Sequence, residues 1–128
     1  MYLDALLDTD DLVFRLPYSI NALKIGVVKL AIPKTFDNEI TFLRVCADIV
    51  KQQPDGYRTL GIYPTHNSDL SKSILVEPIY VQHRDIAVPT FSEIRFIITD
   101  QDNEVVKFEK SQALVVLHLG EMESKQNY

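Results

Sequence analysis

Three histidines, one cysteine and two short acidic runs are the residues of this 128-residue chain whose types suit metal binding or catalysis. His66 sits in a polar stretch, His83 follows a strand-like run, and His118 lies between Leu117 and Leu119. No two of them have the i, i+2 strand spacing or the i, i+4 helix spacing that presents two imidazoles to one metal ion. His118 reads as a partly buried strand histidine bonded to backbone or water. Asp8-Thr9-Asp10-Asp11 offers carboxylates but lacks the glycine and the distal glutamate of a calcium loop. Asp100-Gln101-Asp102-Asn103 opens like such a loop, yet Val105 and Ser111 stand where glycine and glutamate belong, so a tight turn explains it. Cys46 has no base nearby in sequence and lies in the apolar run Phe42–Val50, where it reads as a small buried hydrophobe. No serine occupies a G-x-S-x-G elbow, and the four glycines form no phosphate-cradling loop. The expectation is a protein with no enzymatic activity, no metal and no cofactor.

Bulk properties narrow the class further. The length is that of one domain, and 46% hydrophobic with 24% charged residues is ordinary for a globular fold. A net charge of −5, with scattered Lys and Arg, argues against direct nucleic-acid binding, which favours a clustered positive excess. One cysteine excludes an intramolecular disulfide. Ala5-Leu6-Leu7 is too short for the apolar core of a signal peptide, and charges interrupt every apolar run before it reaches membrane-spanning length. No membrane contact is expected.

The elements that would position these residues alternate with period two, the mark of strands with one buried face. Strands are predicted near residues 12–16, 22–32, 40–50, 57–63, 73–82, 92–99, 105–108 and 112–119. Proline stops the first at Pro17 and the second at Pro33; Gln52-Gln53-Pro54-Asp55-Gly56 is the strongest turn signal. Pro78 implies an edge position or a bulge, because proline cannot donate to the ladder. Leu43, Val45, Ala47 and Ile49 form one core face, and Ile94, Phe96 and Ile98 another. Two strands look apolar on both sides: Ala22–Ile32, with Ile25 and Val27 opposite Val28, Leu30 and Ile32, and Ala113–Leu119, with Leu114 and Val116 opposite Val115, Leu117 and Leu119. Residues 1–11 read as an arm or cap with a helical apolar stripe, residues 12–120 as an all-β antiparallel sandwich, jelly-roll-like with about eight strands, and residues 121–128 as a frayed tail.

Several of these runs also resemble a known family. Ile94–Ile98, Asp100–Asn103, Val105–Phe108 and Val115–His118 are similar to the C-terminal end of the single jelly-roll minor capsid (penton-type) proteins of Polinton/Maverick elements. Those proteins end in a strand, a polar turn, a short strand closing in Phe and a last strand near V-x-L-H. Leu43–Val50 resembles the family's strand around a Cys and an acidic residue, and Phe14–Pro17 with Ile25–Pro33 its N-terminal strand pair. Between these regions the chain has only Lys34–Glu39 where the family has a longer strand-bearing segment. The resemblance implies a capsid-type homo-oligomer that also meets a major capsid protein, in a virion or in the host cytoplasm or nucleus.

Two functions from different classes follow. In the first the apolar surplus of the two-faced strands meets another subunit, through Val28, Leu30, Ile97, Leu114 and Val116. In the second, a ligand-binding sandwich, with carbohydrate as a candidate ligand, uses the loops Gln52–Tyr57 and Thr65–Lys72, with Tyr57, Tyr63, His66 and Asp69 as candidate contacts.

Overall fold

The computed structural model describes residues 1–36, 39–65 and 73–120. Among them are nine strands and no helix: β1 (Tyr2–Asp8), β2 (Val13–Ile20), β3 (Lys24–Pro33), β4 (Phe42–Ala47), β5 (Thr59–Pro64), β6 (Ser73–Val76), β7 (Arg84–Asp85), β8 (Phe91–Thr99) and β9 (Gln112–Gly120). Their pairing is that of one long antiparallel hairpin rolled into two layers. β1 pairs with β9, β2 with β8, β3 with β6, and β4 with β5. Rolling then sets β9 against β3 and β8 against β4. One sheet therefore runs β1-β9-β3-β6, with the two-residue β7 also on β3, and the other runs β2-β8-β4-β5. This connectivity is the jelly roll.

Period-two patterning fills the space between the sheets. Ile94, Phe96 and Ile98 of β8 and Leu43, Val45 and Ala47 of β4 are buried, facing Leu3, Ala5 and Leu7 of β1 and Ala113, Val115, Leu117 and Leu119 of β9. Each large side chain so buried contributes roughly 1.5–3 kcal/mol of hydrophobic stabilisation, which is what holds the two layers together.

Strand β3 departs from simple alternation. Val27 pairs with Leu117 but Lys29 pairs with Val116, so Val28 is an inserted residue, a β-bulge. The bulge reverses the parity of everything after it. Ile25 and Val27 before it and Leu30 and Ile32 after it all reach the core. The strand is thus not two-faced. Leu30, expected at a subunit contact, is fully buried inside the sandwich.

Other boundaries also move. Residues 1–11 do not form a helical arm: Tyr2–Asp8 is the first strand of the roll, its alternation of Leu3, Ala5 and Leu7 set by seven register pairs with β9. Pro17 does not stop β2. It falls in the irregular stretch between Arg15 and Ile20, on an edge strand, where a missing N–H costs no ladder bond. Val105–Phe108 forms no strand; Val105 and Phe108 make only isolated bridges, to Thr99 and Thr35. β6, an edge strand, ends at Val76 before Pro78, and β4 ends at Ala47 in a turn. The Asp100–Asn103 turn is as expected: Asp100 Oδ1 accepts the backbone N–H of Asp102 at 2.8 Å and of Glu104 at 3.0 Å, and Asn103 takes the left-handed φ of 61° that Asn tolerates. The expected tail, residues 121–128, lies outside the described residues.

Candidate functional site

The inner faces of the two sheets are alike; the outer faces are not. On the five-stranded sheet, register builds rows across the strands. Leu6 pairs with Leu114, Leu114 with Ala31, and Ala31 with Leu75, giving one apolar row over all four long strands. Leu6 is 57% exposed and Leu75 56%, while Leu114 and Ala31 are half-buried. The adjoining row holds the charges: Asp4 pairs with Val116, Val116 with Lys29, and Lys29 Nζ reaches Glu77 Oε1 at 4.0 Å.

A third row runs from Tyr2 through His118 to Gly26. Here residues 81–83 cross over β3, and a Cβ on Gly26 would meet Val81 Cγ1 at 2.6 Å and the Gln82 carbonyl oxygen at 3.1 Å. Only glycine leaves room for that crossing. It delivers His83, whose Nε2 lies 2.8 Å from His118 Nδ1, with the Tyr2 ring 4.8 Å from the His118 ring. Burial, the positive amino terminus and His83 together hold the His118 imidazole below the usual histidine range.

The outer face of the four-stranded sheet carries a depression of about 310 Å³. Its floor is Cys46 of β4 with Ile97 and Thr99 of β8; Asp48, Tyr57, Arg58 and Arg95 stand around it. The turn before Tyr57 is tied down. Gly56, at a φ of 90° that side-chain-bearing residues rarely adopt, donates to the Gln53 carbonyl at 2.9 Å, and Tyr57 N–H donates to Asp55 Oδ1 at 2.9 Å. One face of the Tyr57 ring is taken by Arg44, whose guanidinium carbon lies 4.3 Å from the ring centroid, a cation–π contact. Arg58 Nη1 donates to the Val50 carbonyl at 2.8 Å. Asp48 and Arg95 grip each other through backbone: Asp48 N–H donates to the Arg95 carbonyl at 3.1 Å, and Asp48 Oδ1 accepts Arg95 N–H at 3.0 Å. Cys46 is half-buried on this outer face, not a core hydrophobe. Burial pushes its thiol up, the neighbouring Thr59 hydroxyl and Arg44 charge opposing.

The expected site residues separate in space. Val28, Leu114 and Val116 lie half-buried on the five-stranded outer face; Ile97, 50% exposed, lies on the other; Leu30 is in the core. They do not form one patch. Leu6 and Leu75 complete the apolar row and are legible only once β1 and β6 are registered against β9 and β3. Tyr57 is at the depression, but Tyr63 points to the opposite side of its sheet, packing against the core with its ring over Gly61. Burial pushes the Tyr63 hydroxyl up to about 12, against the Arg84 charge. The two tyrosines therefore do not build one sugar platform. His66 and Asp69 lie outside the described residues. A more polar depression of about 380 Å³ is lined by Lys24, Lys51, His83 and Arg84 with Asp85. Among the described residues, no three His, Cys, Asp or Glu side chains gather as a metal site would require. Set against models of known protein families and against curated proteins, the chain matches none.

Proposed function

We propose that this chain is a structural assembly subunit: a jelly-roll domain that associates with copies of itself and meets neighbouring capsid-type subunits. The resemblance to the minor capsid proteins of Polinton/Maverick elements motivates the reading, and the jelly-roll connectivity is compatible with it. Jelly rolls also serve lectins and cupins, so the fold alone does not carry the function.

The observation that carries it is the apolar row Leu6–Leu114–Ala31–Leu75 on the five-stranded outer face, which no other part of the described chain covers. Such a stripe is the centre an interface needs, and the adjoining row of Asp4, Val116 and Lys29, with Glu77, supplies polar groups along its rim. A stable contact buries at least about 1,000 Å² in total. The acidic net charge of −5 adds repulsion between copies, so apolar contact must dominate and association should persist at raised salt. Light scattering and electron microscopy of the purified protein test this. The expected result is a closed, symmetric oligomer that Leu6→Asp or Leu114→Asp dissociates while the β-sheet spectrum is kept. A wild-type protein that stays monomeric at high concentration in low and high salt overturns the reading.

A further inference from the structure

The strands at the margins of the two sheets are not equally protected from further pairing. β2 carries Pro17 and a register irregularity between Arg15 and Ile20, β5 closes on Pro64, and β6 is four residues long. Proline, irregular register and shortness are devices that keep an edge from taking up another strand. β1 has none of these three: Tyr2–Asp8 runs seven residues without proline or glycine, in unbroken register with β9. Its hydrogen-bond parity is fixed at both ends. Leu119 N–H donates to the Met1 carbonyl at 2.8 Å, and Thr9 N–H donates to the Ser111 carbonyl at 3.0 Å. Leu3, Ala5 and Leu7 therefore bond to β9, and the N–H and C=O of Tyr2, Asp4 and Leu6 point away from the sheet. No described strand pairs with that side of β1.

The guard on this edge is charge, and charge is selective. Asp4 and Asp8 alternate with Tyr2 and Leu6 on the exposed side of β1, and neither carboxylate makes an ion pair with a described residue. Opposite charges across a strand pair stabilise it, and like charges destabilise it. A second copy of β1 is thereby disfavoured. Antiparallel self-pairing centred on Asp4 or on Leu6 sets Asp4 against Asp4 or Asp8, and pairing centred on Ala5 crowds the carboxylates of both copies onto one face without a cation. We propose that the free edge of β1 takes up an extended, basic segment of another polypeptide as a further antiparallel strand. Tyr2, Asp4 and Leu6 supply the main-chain bonds, and lysine or arginine side chains stand opposite Asp4 and Asp8. Apolar side chains between them extend the layer of Leu3, Ala5 and Leu7. In strand addition of this kind the main chain gives affinity and alternate side chains give selection. The assignment uses a strand edge and not the apolar row, so it holds whether or not that row self-associates.

The probe is the acetylated and amidated peptide KVTVKVT, added to the full chain. Aligned antiparallel to β1, its lysines fall opposite Asp8 and Asp4, and its valines fall on the core side beside Leu7, Ala5 and Leu3. It should shift the amide resonances of Tyr2, Asp4 and Leu6 saturably. It should also slow their hydrogen exchange, which is fast in the protein alone because those N–H groups lack partners. The acidic peptide EVTVEVT, with like charges opposite, should bind at least about tenfold more weakly. The basic peptide N-methylated at its first threonine and second lysine loses donors aimed at β1 and should not bind. Asp4→Asn should weaken the basic peptide about two- to fivefold, and Glu104→Gln, which removes an exposed carboxylate from the turn after β8, should not. Leu114→Asp, which dissociates the oligomer proposed above, should not weaken it either, so the two readings fail separately. Absence of saturable shifts at millimolar peptide overturns the proposal. So does equal binding of the basic and acidic peptides, binding of the N-methylated peptide, or equal weakening by Asp4→Asn and Glu104→Gln. Slow exchange of the Tyr2, Asp4 and Leu6 amides in the protein alone would also overturn it, assigning the edge to a second copy.

Discussion

The two outer faces obey one rule and reach different ends. On both sheets, alternate residues of each strand leave the core, and on both some of them are large and apolar: Leu6 and Leu75 on one, Ile62 and Ile97 on the other. Register decides what those residues become. On the five-stranded face the charges Asp4, Lys29 and Glu77 fall in the adjoining row, around Val116, which leaves Leu6, Leu114, Ala31 and Leu75 contiguous. On the four-stranded face Asp48, Arg58 and Arg95 stand around Cys46 and Ile97, so comparable apolar material is broken up by charges of both signs. A stripe suits a broad protein contact, and a floor interrupted by charge does not. Composition along any one strand does not distinguish them.

The largest expected effect comes from shortening β3 past its bulge. Deleting Val28 alone removes only the extra residue and leaves Ile25, Val27, Leu30 and Ile32 facing the core, whereas deleting Val28 and Lys29 together sets Leu30 opposite Val116 and turns Leu30 and Ile32 outward, since a one-residue slip moves a strand's set to the opposite face. The double deletion should prevent cooperative folding, seen as loss of dispersion in the amide spectrum, and the single deletion should not; native melting of the double deletion would show that the bulge does not set the parity.

Next in size is the contrast of neighbours on β8. Phe96 is buried at 3% exposure and Arg95 is exposed, so Phe96→Ala should cost about 3–5 kcal/mol in denaturant unfolding and Arg95→Ala under about 0.5 kcal/mol. Equal losses would mean that β8 presents its other face to the core.

A matched pair of charges separates the outer faces from each other. Leu114→Asp should abolish association, and Ile97→Asp, on the opposite sheet, should leave it intact. If both substitutions abolish association, the faces are not independent.

The smallest effect is on pH dependence. His118 is held below the ordinary histidine pKa of about 6.5, so the folded state takes up its proton less readily than the unfolded chain does. That contribution to stability is present above the ordinary value and is lost as pH falls through it. The denaturation midpoint should therefore decline modestly from neutral pH toward acid, and His118→Gln should flatten part of the decline. An unchanged slope in the variant would remove His118 from the account.

Much of this molecule is written locally. Ile94, Phe96 and Ile98 alternate with exposed residues, as do Leu43, Val45 and Ala47, and a period of two needs no knowledge of partners to assign a core face. The Asp100–Asn103 and Gln52–Gly56 turns are legible for the same reason, because Asn, Asp and Gly state their backbone preferences alone. Met1–Leu7 misleads because Leu3, Leu6 and Leu7 fit helical spacing as well as Leu3, Ala5 and Leu7 fit a strand. A segment that short has no intrinsic preference strong enough to choose. Pairing with β9 chooses. The bulge at Val28, the core position of Leu30, the passage of β2 through Pro17, and the grouping of Arg44, Tyr57, Arg95 and Ile97 all depend on hydrogen bonds between strands distant in sequence. A residue's own neighbours state that it lies on a strand. Only the strands beside it determine which face it occupies and what stands next to it, because register is a property of pairs.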